Sequence, residues 1–233
     1  MMRVSQTALA PFREAGVATW AMETTDFLAK TYGTYFYALG TRTHDLEAMC
    51  TTVHRWASRR GCDGNRLLRQ LCCLSVSLGH RFWQDPRFGD YVATTVEDRS
   101  IPRAKAVAML IEHGTTWLDA LWTDDDIKDF GERLCTLILG HYSVNSETLR
   151  YVLPGHGPMF SAEDETRLLV WLGPRLPACQ FNHQRLAYTC LALALGTEWW
   201  KDPQYRMLAH HVSAQTDPQQ LVNRILPMFR AMP

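Results

Sequence analysis

Neither sign of charge dominates this chain. Its 24 lysines and arginines balance 24 aspartates and glutamates, so no net field draws it toward nucleic acid or an anionic membrane. Long apolar runs are missing too. Polar residues interrupt every apolar stretch before membrane-spanning length, and the opening MMRVSQTALAPFREAG holds no apolar run of signal-peptide length. These absences lead us to expect a cytoplasmic protein with no nucleic-acid or membrane partner.

The seven cysteines, Cys50, Cys62, Cys72, Cys73, Cys135, Cys179 and Cys190, are odd in number and contain no CxxC pair. Most fall on apolar helix faces, where a free thiol behaves as a small hydrophobe. Vicinal Cys72 and Cys73 are poorly placed for an ordinary bridge. Free thiols in a reducing compartment are therefore expected. The chain also lacks a GxSxG elbow, a Walker-type phosphate loop, a GxGxxG turn after a strand and an HExxH helix, so it offers no local signature for nucleophilic, nucleotide-dependent or zinc chemistry. No catalytic residue and no cofactor is assigned.

Strict polar and apolar alternation is scarce, whereas helix starts and stops recur. The expected fold class is all-α. Apolar content of 46% with 11% aromatics over 233 residues is ample for a packed core. Thr43 opens a helix running to about Arg60, with Leu46, Met49, Cys50, Val53, Trp56 and Ala57 on one face and Gly61 placed to end it. Ser100 with Pro102 opens another through Trp122. Thr123 with Asp126, and Ser161 with Asp164, make further start signals.

The most informative feature is an internal repeat. Asn65 to Pro86 (NRLLRQLCCLSVSLGHRFWQDP) and Asn182 to Pro203 (NHQRLAYTCLALALGTEWWKDP) lie 117 residues apart and share eight of 22 positions, where ordinary composition gives roughly one or two by chance. Phe88 and Tyr205 extend the match. A fainter echo pairs Glu14, Gly16, Thr19 and Trp20 with Glu112, Gly114, Thr116 and Trp117 once one residue is skipped. The expectation is a duplicated, pseudo-symmetric helical bundle forming one compact domain. Residues 1–98 make the first repeat and 99–233 the second, which carries an inserted Pro/Gly loop near 151–160. The two matching helices read as apolar all round, so they are expected to pack against each other about a pseudo-twofold axis. After each come Leu-Gly, a short aromatic passage and Asp-Pro; Asp217-Pro218 repeats the device. Aspartate caps free amides while proline at the first helical position lacks the orphan donor, so each Asp-Pro is expected to begin a helix.

Candidate chemistry is sparse. Glu47, Cys50 and His54 are spaced along one side of a helix, but zinc needs a fourth ligand or water, and a packed thiol with a boundary imidazole explains the pattern. No metal is assigned there. Asp124, Asp125, Asp126 and Asp129 lack the alternating ligands, central glycine and final glutamate of an EF-hand loop and read as a solvated first turn. His210-His211 has no acidic or thiol neighbour at ligand spacing, and His141-Tyr142 ends a helix. His156, between glycines in the Pro/Gly loop, sits where flexible backbone can serve a site, although a surface turn is the commoner outcome.

The duplicated aromatic passage carries the functional expectation. Arg81, Phe82 and Trp83 align with Glu198, Trp199 and Trp200, so opposite charges occupy equivalent places beside tryptophans. Such a swap either joins the halves by an ion pair or gives two related surfaces different partner preferences, with tryptophan and arginine as anchors. A corner sealed by tryptophan is the plainer explanation of the rings. We expect a non-enzymatic adaptor or scaffold that binds a protein partner through Arg81, Trp83, Glu198 and Trp200. An accessory or immunity protein of a bacterial toxin-delivery system is one form of such a binder. The competing class is an enzyme or small-ligand carrier with a pocket between the repeats.

Overall fold

Helix-ending glycines and aspartate caps divide the chain into helices. The computed structural model describes residues 6–122, 127–154 and 162–232, with the side chains of 6–13, 162 and 164 left aside. Eleven α-helices run in order among the described residues: α1 Gln6–Leu39, α2 Thr43–Ser58, α3 Asn65–Leu78, α4 Gly89–Thr95, α5 Arg103–Leu121, α6 Ile127–Leu139, α7 Ser146–Val152, α8 Ala162–Leu172, α9 Asn182–Leu195, α10 Arg206–Ala214 and α11 Pro218–Ala231. No strand occurs among them. Thr123 to Asp126, Ser161 and the loop residues 155–160, including His156, lie outside the described residues.

Several sequence signals appear in altered form. Helix α2 starts at Thr43, but its cap is Arg42, whose backbone N–H donates to Asp45 Oδ2 at 3.2 Å. Gly61 follows the helix at φ +76°. The three Asp-Pro pairs behave differently from one another. Asp217 caps α11 by accepting from Gln220 N–H at 2.9 Å. Asp202 caps the 3-10 turn Pro203–Tyr205, which runs into α10. Asp85 ends the turn Phe82–Gln84 instead, and α4 begins only at Gly89. Its carboxylate has other partners, described below.

Apolar side chains gather in two clusters. The first takes Leu28 from α1, Met49 and Val53 from α2, Leu68 and Leu71 from α3, and Ala106, Val107 and Leu110 from α5. The second takes Leu134 and Ile138 from α6, Leu186 and Leu191 from α9, Leu221, Ile225 and Phe229 from α11, and Leu39 from α1. Tyr35 and Trp117 pack against both. Twelve of the 14 residues of α9 are buried, as expected of a helix apolar all round. Helix α3 departs from that expectation: only seven of its 14 residues are buried. Arg66 and Ser77 are exposed and Arg69 and Gln70 half-buried, so one face of the helix stays at the surface. At roughly 1.5–3 kcal/mol per large apolar side chain fully buried, α9 contributes more to the core than α3.

Candidate functional site

The Leu-Gly and Asp-Pro corners of the repeat meet at the C-terminal ends of α3 and α9. Both helices stop at a glycine with positive φ, +91° at Gly79 and +108° at Gly196. The stop brings the two backbones together. A Cβ built on Gly196 falls 2.6 Å from the Leu78 carbonyl oxygen, and one on Gly79 falls 3.1 Å from that of Leu195. Only glycine combines this φ with so close an approach.

The aspartates then cross. Thr197 N–H donates to Asp85 Oδ2 at 3.2 Å, and His80 N–H donates to Asp202 Oδ2 at 2.8 Å. Each carboxylate satisfies an amide that the glycine stop leaves free at the other corner, 112 and 122 residues away in the chain. The residue two beyond each aspartate repeats the crossing. Arg87 forks onto Asp85 (2.8 and 2.6 Å) and reaches the carbonyls of Leu193 and Ala192 (2.8 and 3.3 Å). Gln204 Nε2 donates to Asp202 Oδ2 at 3.0 Å and lies 3.4 and 3.5 Å from the carbonyls of Val76 and Ser75. Adding 117 to Ser75, Val76, His80, Asp85 and Arg87 gives Ala192, Leu193, Thr197, Asp202 and Gln204. Residues at matching positions therefore make matching contacts across the junction.

The network is enclosed. Asp85 and Asp202 are 2% exposed, and the Arg87 guanidinium also lies 4.7 Å from the centre of the Trp117 ring, a cation–π contact. Tyr205 fills the place that Phe88 takes in the other corner, and its hydroxyl lies 2.9 Å from that of Tyr35. Enclosure pushes both phenols up, and the charge of Asp202 adds to the effect. His80 Nδ1 sits 3.3 Å from Asp202 Oδ2. That carboxylate is already held by an amide and Gln204, so it serves as a clamp.

Of the four residues expected to bind a partner, the structure places Arg81 and Glu198 on one narrow cleft at this junction, beside Gly79, Phe82, Gly196 and Trp199. The cleft offers about 20 Å³ to the centre of a water-sized sphere, enough for about one water. Arg81 and Glu198 do not pair. Glu198 Oε1 takes the Lys201 ammonium, three residues on, and Arg81 is exposed with no carboxylate in ion-pair range among the described residues. Trp83 and Trp200 sit outside the cleft lining, half-buried in separate aromatic groups. Trp83 stacks on Trp56 with centroids 4.4 Å apart and planes 11° from parallel. Trp200 meets Tyr188 edge-on at 5.7 Å.

The other candidates have local explanations. All seven cysteines are free. Cys50 is fully buried, with Thr25 Oγ1 at 3.9 Å, and a hydrogen bond with Cys72 holds its thiol below the usual value. His54 packs against the Trp20 ring at 4.9 Å, and burial lowers its pKa. Among the described residues no three His, Cys, Asp or Glu side chains gather as a metal site would require, and no helix is long and apolar enough to cross a membrane. The residues that sequence reasoning missed at the junction are His80, Arg87, Thr197 and Gln204. Arg87 and Gln204 were marked by position, one residue beyond each Asp-Pro, but unlike chemistry hid their equivalence. No family model, curated protein or solved structure matches the chain.

Proposed function

We propose that the chain is a cytoplasmic, non-enzymatic helical protein built from two copies of one ancestral unit, and that it binds a protein partner over the junction where the corners cross. The eight shared positions and the matching contacts made by residues related by the 117-residue offset support the duplication. The carboxylates inside the junction are paired, and the cleft admits about one water. Its rim is open. The partner reading rests on one observation, that Arg81 stands exposed without a carboxylate beside the rim residue Glu198. Arginine is one of the side chains that supply the anchoring energy of interface hot spots. Balanced net charge favours a protein partner over nucleic acid.

The test is affinity capture from the native host with the tagged full chain beside the doubly charge-reversed Arg81→Glu, Glu198→Arg form, both shown to be folded by circular dichroism. A protein retained by the wild type and lost with the variant supports the reading. Identical capture profiles refute it.

A further inference from the structure

The open face of α3 carries a groove that belongs to neither corner. It lies between α1 and α5, with space of about 530 Å³, within the range of small-molecule sites. Leu74, Ile111 and Leu118 give it an apolar wall, Phe27 and Tyr32 overhang it, and Cys73 opens into it. Arg66 and Arg69 stand along the lining.

Arg69 is held loosely. Its guanidinium lies 5.8 Å from the Phe27 ring centre, and the nearest carboxylate, Glu23, is 3.9 Å away and 58% exposed. Arg69 Nε is buried with no hydrogen-bond partner, and the side chain is 40% exposed, so its hydrogen-bonding capacity is not used up within the protein. The internal repeat sharpens the point. Arg69, Gln70 and Ser77 of α3 align with Leu186, Ala187 and Ala194 of α9, which are buried. Where one helix has core residues, the other has hydrogen-bonding side chains around an open space.

We propose that this groove binds a small amphiphilic anion, a carboxylate or sulfonate carried on an aromatic or short aliphatic body. The anionic end lies at Arg69, with Arg66 beside it, and the body lies against Leu74, Ile111 and Leu118. An arginine fork suits a planar or tetrahedral oxyanion. The apolar wall favours a hydrophobic body over inorganic phosphate. Cys73, half-buried in the lining, reports on occupancy.

The probe is 8-anilinonaphthalene-1-sulfonate, titrated by fluorescence into the full chain, with uncharged N-phenyl-1-naphthylamine as its neutral counterpart. The expected result is one saturable site per chain that Arg69→Gln weakens about tenfold, the loss of one charge-assisted hydrogen bond. The neutral dye binds more weakly and is indifferent to that substitution. Thr115→Trp, at an exposed position on the groove, blocks both dyes without disturbing the core. Saturating sulfonate slows alkylation of Cys73 several-fold and leaves Cys179 unchanged. The proposal is overturned by equal affinity for the two dyes, by binding that survives Thr115→Trp, by several dyes per chain, or by unprotected Cys73.

Discussion

Asp85 and Asp202 each hold the backbone of the other's corner: Thr197 N–H donates to Asp85, and His80 N–H donates to Asp202. Their local partners differ, and so do the expected effects of removing them. Asp85→Ala leaves the Arg87 guanidinium, only 4% exposed, without its counter-charge, a loss of about 3–5 kcal/mol. Asp202→Ala leaves an amide and the Gln204 side chain short of an acceptor, about 1–3 kcal/mol. Asp202→Asn keeps an acceptor oxygen and is milder. Urea denaturation ranks the three, and equal losses for both alanines would show that the Arg87 charge is not held by Asp85.

The glycine stops give a second ranking. At φ +91° and +108° alanine is strained at both, about 1–3 kcal/mol from backbone conformation alone. Gly196→Ala adds a Cβ 2.6 Å from the Leu78 carbonyl oxygen, whereas Gly79→Ala meets that of Leu195 at 3.1 Å. Neither carbonyl can swing aside as a flexible side chain would. Gly196→Ala is therefore expected to unfold at lower denaturant than Gly79→Ala, and both below wild type. The reverse order contradicts the close approach at Gly196.

Helical class, the glycine stops and the cap at Asp217-Pro218 were legible because each is decided within a few residues. Asp85-Pro86 was misleading. Its sequence is a good helix start, yet Asp85 is claimed by Thr197 and Arg87, and α4 waits until Gly89. A contact 112 residues away has no local signature. Glu198 shows the opposite case: a neighbour three positions on, Lys201, takes it before Arg81 can, and only local spacing was needed to see it. The groove on α3 was hidden because leucines and polar residues share that helix, and periodicity does not tell a covered polar face from an open one.

Thiol accessibility gives a direct readout of packing. Five cysteines are buried, and Cys73 and Cys179 are half-buried. Burial raises the pKa of both half-buried thiols, which lowers their thiolate fraction at neutral pH. Native protein is expected to alkylate slowly at those two and to release all seven thiols on denaturation, as read by mass spectrometry. Fast labelling at Cys190 in native protein would contradict the enclosure of α9.

Stability should fall on both sides of a neutral plateau, for reasons of opposite sign. Burial pushes the Cys135 and Cys190 thiols from 9.0 to about 12 and raises the Tyr35 and Tyr205 phenols above 10.0. Above about pH 9 the unfolded chain gives up protons that the folded chain keeps, so stability declines as pH rises. Burial holds His54, His113 and His211 below 6.5. As pH drops through 6.5 the unfolded chain takes up protons first, and stability declines again. The urea midpoint is thus expected to be level between roughly pH 6.5 and 9 and to fall beyond each limit. Cys190→Ala removes one of the groups that titrate from pH 9.0 upward, and Tyr35→Phe removes one that begins near 10.0. Each substitution should shallow its own part of the alkaline limb and leave the acid limb unchanged. An alkaline limb with the same slope in all three proteins would mean that these protons are not linked to folding.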